Sequence, residues 1–146
     1  MTDIMSPETR SRVMSRIRGK DTGPERVLRS RLHSRGLRFR KHVRSLPGRP
    51  DVVFVSAKLV VFVDGDFWHG WRLAEWEAKL QPRWAEKIRG NVARDRQVTA
   101  ELRRLGWRVI RIWEHDIKAR PDRVAAIVEH AVRRRAAGRL SRLPEE

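Results

Sequence analysis

Cysteine is absent from this sequence of 146 residues, which excludes disulfide bonds and any zinc site built on thiolates. Long apolar runs are also missing, so no segment is expected to cross a bilayer. The residues from Met1 to Arg16 are polar and charged where a secretory signal would be apolar, so a cytoplasmic location is expected. A chain of this length has room for one hydrophobic core, which predicts a single domain over residues 1–146.

Acidic residues are scarce: 18 Asp and Glu stand against 34 Lys and Arg, a formal net charge of +16. Nucleic acid is the expected partner of such a chain, since neutralising phosphates releases condensed counterions. A membrane surface is the weaker alternative. Tyrosine is absent, yet there are six Trp residues. Some belong in a core, while others are suited to stacking on bases or wedging between base steps.

Apolar periodicity and turn residues predict the element order α-α-β-β-β-α-β-α. A basic helix over residues 6–18 has too thin an apolar stripe for burial, so residues 1–19 are expected to lie on DNA as an N-terminal helix. The tail 138–146 is expected to fray. The predicted elements between them are a helix from about 21 to 36, strands 37–42, 51–55 and 59–64, a helix 83–104, a strand 107–113 and a helix 121–137.

These elements predict an α/β fold with a small mixed central sheet of about four strands, flanked by helices. The strand 59–64 is apolar up to its final Asp64, as is typical of a central strand covered on both faces. Residues 64–82 are predicted to be irregular although they are rich in apolar residues. Long irregular loops in small domains are often functional, so this loop is a candidate part of a site.

Two carboxylates stand at facing strand ends. Asp51 opens one predicted strand, and Asp64 closes the next. Carboxylates placed this way can bind a hard cation. A cation between Asp51 and the Val63–Asp64 region would hold a scissile phosphate and lower the pKa of a bound water. The alternative is that Pro50-Asp51 is ordinary turn chemistry.

Five blocks of sequence carry a resemblance to a known family. They are residues 46–51 (LPGRPD), 62–69 (FVDGDFWH), 84–95 (WAEKIRGNVARD), 105–109 (LGWRV) and 113–114 (WE). In this order they closely resemble the very short patch repair (Vsr) mismatch endonucleases, which have the restriction-endonuclease-like, or PD-(D/E)xK, fold. The resemblance covers roughly residues 7–132. It implies a monomeric, Mg²⁺-dependent DNA repair enzyme that nicks the thymine-bearing strand of a T:G mismatch in double-stranded DNA.

The resemblance also implies catalytic roles. Asp51 and the main-chain carbonyl of Val63 would be metal ligands, Glu25 would reach the metal through water, and His69 would be the general base. A neutral imidazole near pH 7 suits that last task. Two alternatives stay open: Glu25 also has capping-box spacing from Thr22, and His69 is also compatible with a core position.

Substrate recognition, by the same resemblance, uses side chains that enter the base stack beside the mismatch from both grooves. The matching positions in the apolar loop and the long helix are Phe67, Trp68 and Trp84, opposed by Met14 and Ile17 from the N-terminal helix. Lys87 and Asn91, one helical turn apart, would face the mismatched bases or nearby phosphates. The alternative for Trp84 is a core tryptophan at helical spacing.

The sequence departs from the family pattern in two places. The positions of the structural zinc site of the best-known members are Asp66, Trp71, Leu73 and His115 here, so no structural zinc is expected. We predict instead an Asp66–His115 hydrogen bond, with the other two side chains filling the volume. Asp64 stands where members often have His, and is predicted to bind the metal directly.

These departures leave the substrate open to alternatives. One is a related nuclease acting on another mismatch, a lesion or foreign DNA. Another is a basic DNA-binding protein without catalysis. The cluster of Asp51, Asp64 and His69 argues against the latter, since a simple phosphate binder gains nothing from acids near DNA.

Overall fold

The computed structural model describes residues 22–140, and side chains up to residue 138. The elements in chain order are α1 Gly23–Ser34, β1 Arg40–Lys41, β2 Val52–Phe54, β3 Leu59–Asp64, α2 Leu73–Trp76, a 3-10 turn Glu77–Lys79, α3 Pro82–Arg104, β4 Arg108–Trp113, α4 Glu114–Ala119 and α5 Pro121–Leu140. The predicted N-terminal helix, with Met14 and Ile17, lies outside the described residues, as does the tail from residue 141. Residues 138–140, which we expected to fray, continue α5.

The four strands form one mixed sheet in the order β1-β2-β3-β4, which confirms the predicted fold class. The first three strands are antiparallel neighbours, while β3 and β4 are parallel. A parallel pair needs a long crossover, and α3 supplies it. None of the helices within residues 22–140 is long and apolar enough to cross a membrane.

The sheet separates two apolar layers because successive strand residues point to opposite faces. On one face, Val61 packs with Leu28 and Leu32 of α1 and with residues of α4 and α5. On the other face, Val53 and Phe62 pack against α3. Residues two positions apart share a face, so the neighbouring carboxylates Asp51 and Asp64 belong to the α3 side. The two carboxylates therefore lie at the ends of β2 and β3, where Glu25 of α1 and the side of α3 line the same cavity.

Three details differ from the sequence prediction. The segment 64–82 is not wholly irregular, because it contains α2 and the 3-10 turn. The helix α4 was not predicted, although its Ile117 is fully buried. Strand β1 is two residues long rather than six. Helices of four to six residues are too short to show a clear apolar period, and an edge strand needs few paired residues.

Candidate active site

Asp51 is held against β3 by the antiparallel register of β2. Its main-chain N–H donates to the carbonyl of Val61 at 3.0 Å, and its Oδ2 accepts from the N–H of Val63 at 2.6 Å. Burial, together with the negative charge of Glu25, raises the pKa of the Asp51 carboxyl from the usual 3.8 to about 7. A half-buried carboxyl of this kind gains from a neighbouring cation.

Glu25 and His42 complete a first cluster around Asp51. Glu25, in the first turn of α1, is only 7% exposed, and its Oε2 lies 3.0 Å from His42 Nε2. The main-chain N–H of His42 donates to the carbonyl of Asp51 at 3.3 Å. One donor atom from each of the three side chains lies within 4.8 Å of the others. The two carboxylates fit a hard divalent cation, and the imidazole of His42 adds a nitrogen donor.

The capping-box alternative for Glu25 is wrong. Thr22 is the N-cap residue of α1, but its side chain makes no capping hydrogen bond. The carboxylate of Glu25 contacts His42 at 3.0 Å and Arg29 at 3.4 Å. Glu25 therefore belongs to the buried cluster at the end of the sheet.

A second cluster joins the end of β3, the apolar loop and α3. His69 Nδ1 lies 2.5 Å from Asp95 Oδ2 and 3.6 Å from Asp64 Oδ1. Burial lowers the pKa of His69, but the hydrogen bond to Asp95 and the charge of Asp64 outweigh it, so the pKa is raised overall. The side chain of His69 is 29% exposed and paired with acids, which contradicts the core-histidine alternative.

Arg111 on β4 ties this second cluster to the sheet. Its Nη1 donates to the two carboxylate oxygens of Asp64 at 3.0 and 3.3 Å, and its Nε donates to Thr99 Oγ1 at 2.8 Å. The guanidinium lies 4.2 Å from the ring centre of Phe62. Asp64 is 5% exposed, and burial raises its pKa although His69 and Arg111 act in the opposite direction. The predicted metal ligand Asp64 thus already has a cationic partner.

Both clusters line one cavity of about 450 Å³ between the ends of β2 and β3 and the side of α3. The cavity contains four of the predicted catalytic and metal-binding side chains, namely Glu25, Asp51, Asp64 and His69, together with Val63. The polar and basic residues that α3 adds to its wall are Lys87, Asn91, Arg94 and Asp95. A cavity lined by both carboxylates and basic side chains can place a metal cation against a phosphate group.

The predicted DNA-contacting aromatics lie beside this cavity. Trp68 is 6% exposed and packs edge-on against Trp84 with 6.0 Å between ring centres. Phe67 stacks on Trp76 at 5.5 Å. Lys87 Nζ lies 5.0 Å from the Trp68 ring. Trp84 packs against this small aromatic cluster and is half-buried, so part of its side chain is exposed to solvent.

Asn91 anchors this aromatic group to α3. Its Nδ2 donates to the main-chain carbonyl of Trp68 at 3.2 Å. Asn91 therefore holds the segment that leads into His69, and it also lines the cavity.

The predicted contact between Asp66 and His115 is confirmed. His115 Nδ1 lies 2.7 Å from Asp66 Oδ1, and the Trp71 ring centre is 4.4 Å from that of His115. Leu73 packs on the neighbouring aromatic cluster. The pair joins the apolar loop to the start of α4, next to β4.

Sequence reasoning missed His42, Asp95 and Arg111 as members of the clusters. Asp95 had a signal, because it follows Lys87 and Asn91 at intervals of four residues and so shares their face of α3. His42 and Arg111 had none, since their contacts depend on strand register. Arg111 faces Phe62 only because β3 and β4 pair at those positions.

Comparisons with known proteins support one family. The family model described as "DNA mismatch endonuclease Vsr" matches residues 2–75. The "Type II nicking enzyme V.XorIIP" of Xanthomonas oryzae is 46% identical over 80% of this chain and 88% of its own length. The "DNA mismatch endonuclease Vsr" of Escherichia coli is 42% identical over 82% of this chain and 78% of its own. The "Type II nicking enzyme V.NmeDIP" of Neisseria meningitidis is 40% identical over 90% of each chain.

Proposed function

The chain belongs to the DNA mismatch endonuclease Vsr family, and from this premise we propose that it nicks the thymine-bearing strand at a T:G mismatch in duplex DNA. Family membership makes it a DNA endonuclease with a restriction-endonuclease-like fold. Relatives named as nicking enzymes support cleavage of one strand. The observation that carries the proposal is that Asp51 and the His69–Asp95 pair line the same cavity.

We propose that the cation is Mg²⁺, held by Asp51 and the main-chain carbonyl of Val63, with Asp64 as a further ligand and Glu25 acting through water. A bound Mg²⁺ would supply Lewis acidity to the scissile phosphate and to a water molecule. Asp64 bonds to Arg111 at 3.0 Å, so direct ligation would require this carboxylate to share its oxygens with the guanidinium.

His69 is proposed as the general base. Its Nδ1 lies against Asp95, which favours the tautomer with the proton on Nδ1 and keeps Nε2 as the acceptor. Nε2 would take the proton from the attacking water, and Asp95 would stabilise the imidazolium that forms. Because the pKa of His69 is raised, the neutral form becomes dominant only above its usual titration range. Activity is therefore expected to rise with pH through that shifted pKa.

Recognition of the mismatch is proposed to use the aromatic group and the cationic wall of the cavity. Lys87, Asn91 and Arg94 would contact phosphates or base edges along α3. Phe67 and Trp84, which are only partly buried, would enter the base stack, opposed by the N-terminal helix, and the buried Trp68 would support their rings from within the protein. A mismatch costs less to unstack than a Watson–Crick pair, so a wedge of this kind selects mismatches. We also propose that the chain acts as a monomer with a single domain.

The test is a nicking assay with Mg²⁺ on strand-labelled duplexes that contain T:G, another mismatch, an abasic site or only Watson–Crick pairs. We expect cleavage of the T:G duplex alone, on the thymine strand, with the preferred sequence context found by varying the flanking pairs. Equal cleavage of the other substrates would reject mismatch specificity while keeping the nuclease. Binding without cleavage of any duplex would reject the catalytic proposal.

A further inference from the structure

His42 lies inside the cluster that holds Asp51, although neither the family resemblance nor the proposed mechanism gives it a role. We propose that His42 is a direct metal ligand through Nε2, beside Asp51 and Glu25, so that this site binds transition-metal cations such as Mn²⁺ in preference to Mg²⁺. The inference rests on the proposed function only in placing the cation at Asp51. A transition-metal cation would contact Glu25 directly, whereas with Mg²⁺ Glu25 would act through water.

The spacing of the donor atoms matches a cation's coordination sphere. His42 Nε2 and Glu25 Oε2 are 3.0 Å apart. Adjacent ligands at bond lengths of about 2.1 Å stand about 3.0 Å apart, and opposite ligands about 4.2 Å apart. The donor atoms of Glu25, His42 and Asp51 all lie within 4.8 Å of one another. A cation would therefore need only small side-chain movements to bond all three.

The position of the imidazole is built into the backbone. His42 has a φ of 50°, in the left-handed region that non-glycine residues rarely occupy, and its main-chain N–H donates to the carbonyl of Asp51. Its side chain is 15% exposed and that of Glu25 8%. The ring is thus held beside the two carboxylates before any ligand binds, which reduces the ordering cost of coordination.

The second cluster of potential ligands is less available to a metal cation. There Arg111 Nη1 lies 3.0 Å from Asp64 and 3.7 Å from Asp95, so one guanidinium pairs with both carboxylates. In the first cluster Arg29 lies 3.4 Å from Glu25, and Asp51 Oδ2 accepts from the main-chain N–H of Val63. An added cation would therefore have to compete with Arg111 for both carboxylates of the second cluster.

The expected selectivity follows from ligand chemistry. Mg²⁺ binds oxygen ligands and keeps much of its water, while imidazole nitrogen favours Mn²⁺, Co²⁺ and Zn²⁺. A site with two carboxylates and one imidazole therefore discriminates against Mg²⁺. Replacing the imidazole by an amide should remove that discrimination and leave the weaker binding of Mg²⁺ nearly unchanged.

The experiment measures Mn²⁺ binding to the full chain without DNA, by the electron paramagnetic resonance signal of free Mn²⁺, with Mg²⁺ affinity obtained by competition. Wild type is compared with His42→Gln, with Asp51→Asn as the variant that removes the shared ligand, and with His130→Gln as the control. His130 is exposed on α5 and does not line the cavity. We expect His42→Gln to weaken Mn²⁺ binding by about tenfold or more, with Mg²⁺ affinity changed less than about twofold. Asp51→Asn should weaken the binding of both cations, and His130→Gln should change the binding of neither.

Equal Mn²⁺ affinity of wild type and His42→Gln would overturn the inference, as would an equal loss of affinity for both cations. If T:G nicking with Mg²⁺ persisted in either case, the proposed function would still stand. A second measurement needs no variant: on Zn²⁺ addition to wild type, the ¹⁵N resonance of His42 Nε2 should move to the position of a metal-bound nitrogen. An unchanged resonance at saturating Zn²⁺ would also overturn the inference.

Discussion

Replacing Asp51 with Asn is expected to abolish nicking and, without divalent cations, to stabilise the fold at neutral and alkaline pH. The asparagine keeps an oxygen that accepts from the Val63 N–H, so the hydrogen bond at 2.6 Å has a replacement. What the variant loses is a half-buried negative charge close to Glu25. Catalytic groups often destabilise the fold that holds them in this way.

The magnitude follows from proton linkage. The pKa of Asp51 is raised from 3.8 to about 7, so the folded state holds this proton more tightly than the unfolded state. The stabilising contribution of the protonated carboxyl is full below about pH 4 and is lost as the pH rises through about 7. Each tenfold change in proton affinity corresponds to about 1.4 kcal/mol, so ionisation of Asp51 lowers the free energy of unfolding by at most about 4 kcal/mol. Partial solvent access reduces this loss to about 2–4 kcal/mol.

The assay is urea denaturation followed by tryptophan fluorescence, in EDTA, at pH 4.5 and pH 8. We expect Asp51→Asn to exceed wild type in free energy of unfolding by about 2–4 kcal/mol at pH 8, and by much less at pH 4.5. Asp122→Asn is the matched control, because that carboxylate is 75% exposed and should change little at either pH. A wild type as stable as Asp51→Asn at pH 8, or a difference independent of pH, would refute the reasoning.

Three further predictions concern the residues around the cavity. Arg111→Met should lower the free energy of unfolding by about 3 kcal/mol in urea, because it leaves Asp64 buried without its guanidinium. Adding Asp64→Asn to Arg111→Met should recover most of that loss. If the losses of the two single variants simply added in the double variant, the ion pair between Arg111 and Asp64 would be contradicted. Lys87→Gln should reduce the salt slope of DNA affinity by about one, and an unchanged slope would exclude a phosphate contact. Asp66→Ala should cost about 1 kcal/mol or less in thermal unfolding, because its bond to His115 is partly exposed; a loss above about 3 kcal/mol would contradict this.

The sheet and the two carboxylates were predictable because they depend on local signals. The apolar residues 59–63 predict a covered strand, and the turn at Ser56-Ala57-Lys58 separates it from the strand before it. The turn at Pro47-Gly48 separates that strand from the first one. Strand alternation then places Asp51 and Asp64 on one face. By contrast, Thr22 and Glu25 have the spacing of a helix cap, and only the tertiary contact with His42 shows the other role of Glu25.

The rest of the site depends on long-range pairing that no short segment encodes. His42 meets Asp51 through the antiparallel pairing of β1 and β2, and Arg111 meets Phe62 through the parallel pairing of β3 and β4. A shift of register by one residue would send each side chain to the other face of the sheet. The Asp66–His115 bond was predictable because the family pattern indicated that these positions lie together.

The most direct test of the central claim is single-turnover nicking of one T:G duplex, with each strand labelled separately, by wild type and Asp51→Asn in Mg²⁺. The account predicts a single break 5′ of the mismatched thymine by wild type, an intact guanine strand, and no break by the variant even when DNA binding saturates. Cleavage by Asp51→Asn at the wild-type rate, or breaks in both strands by wild type, would contradict it.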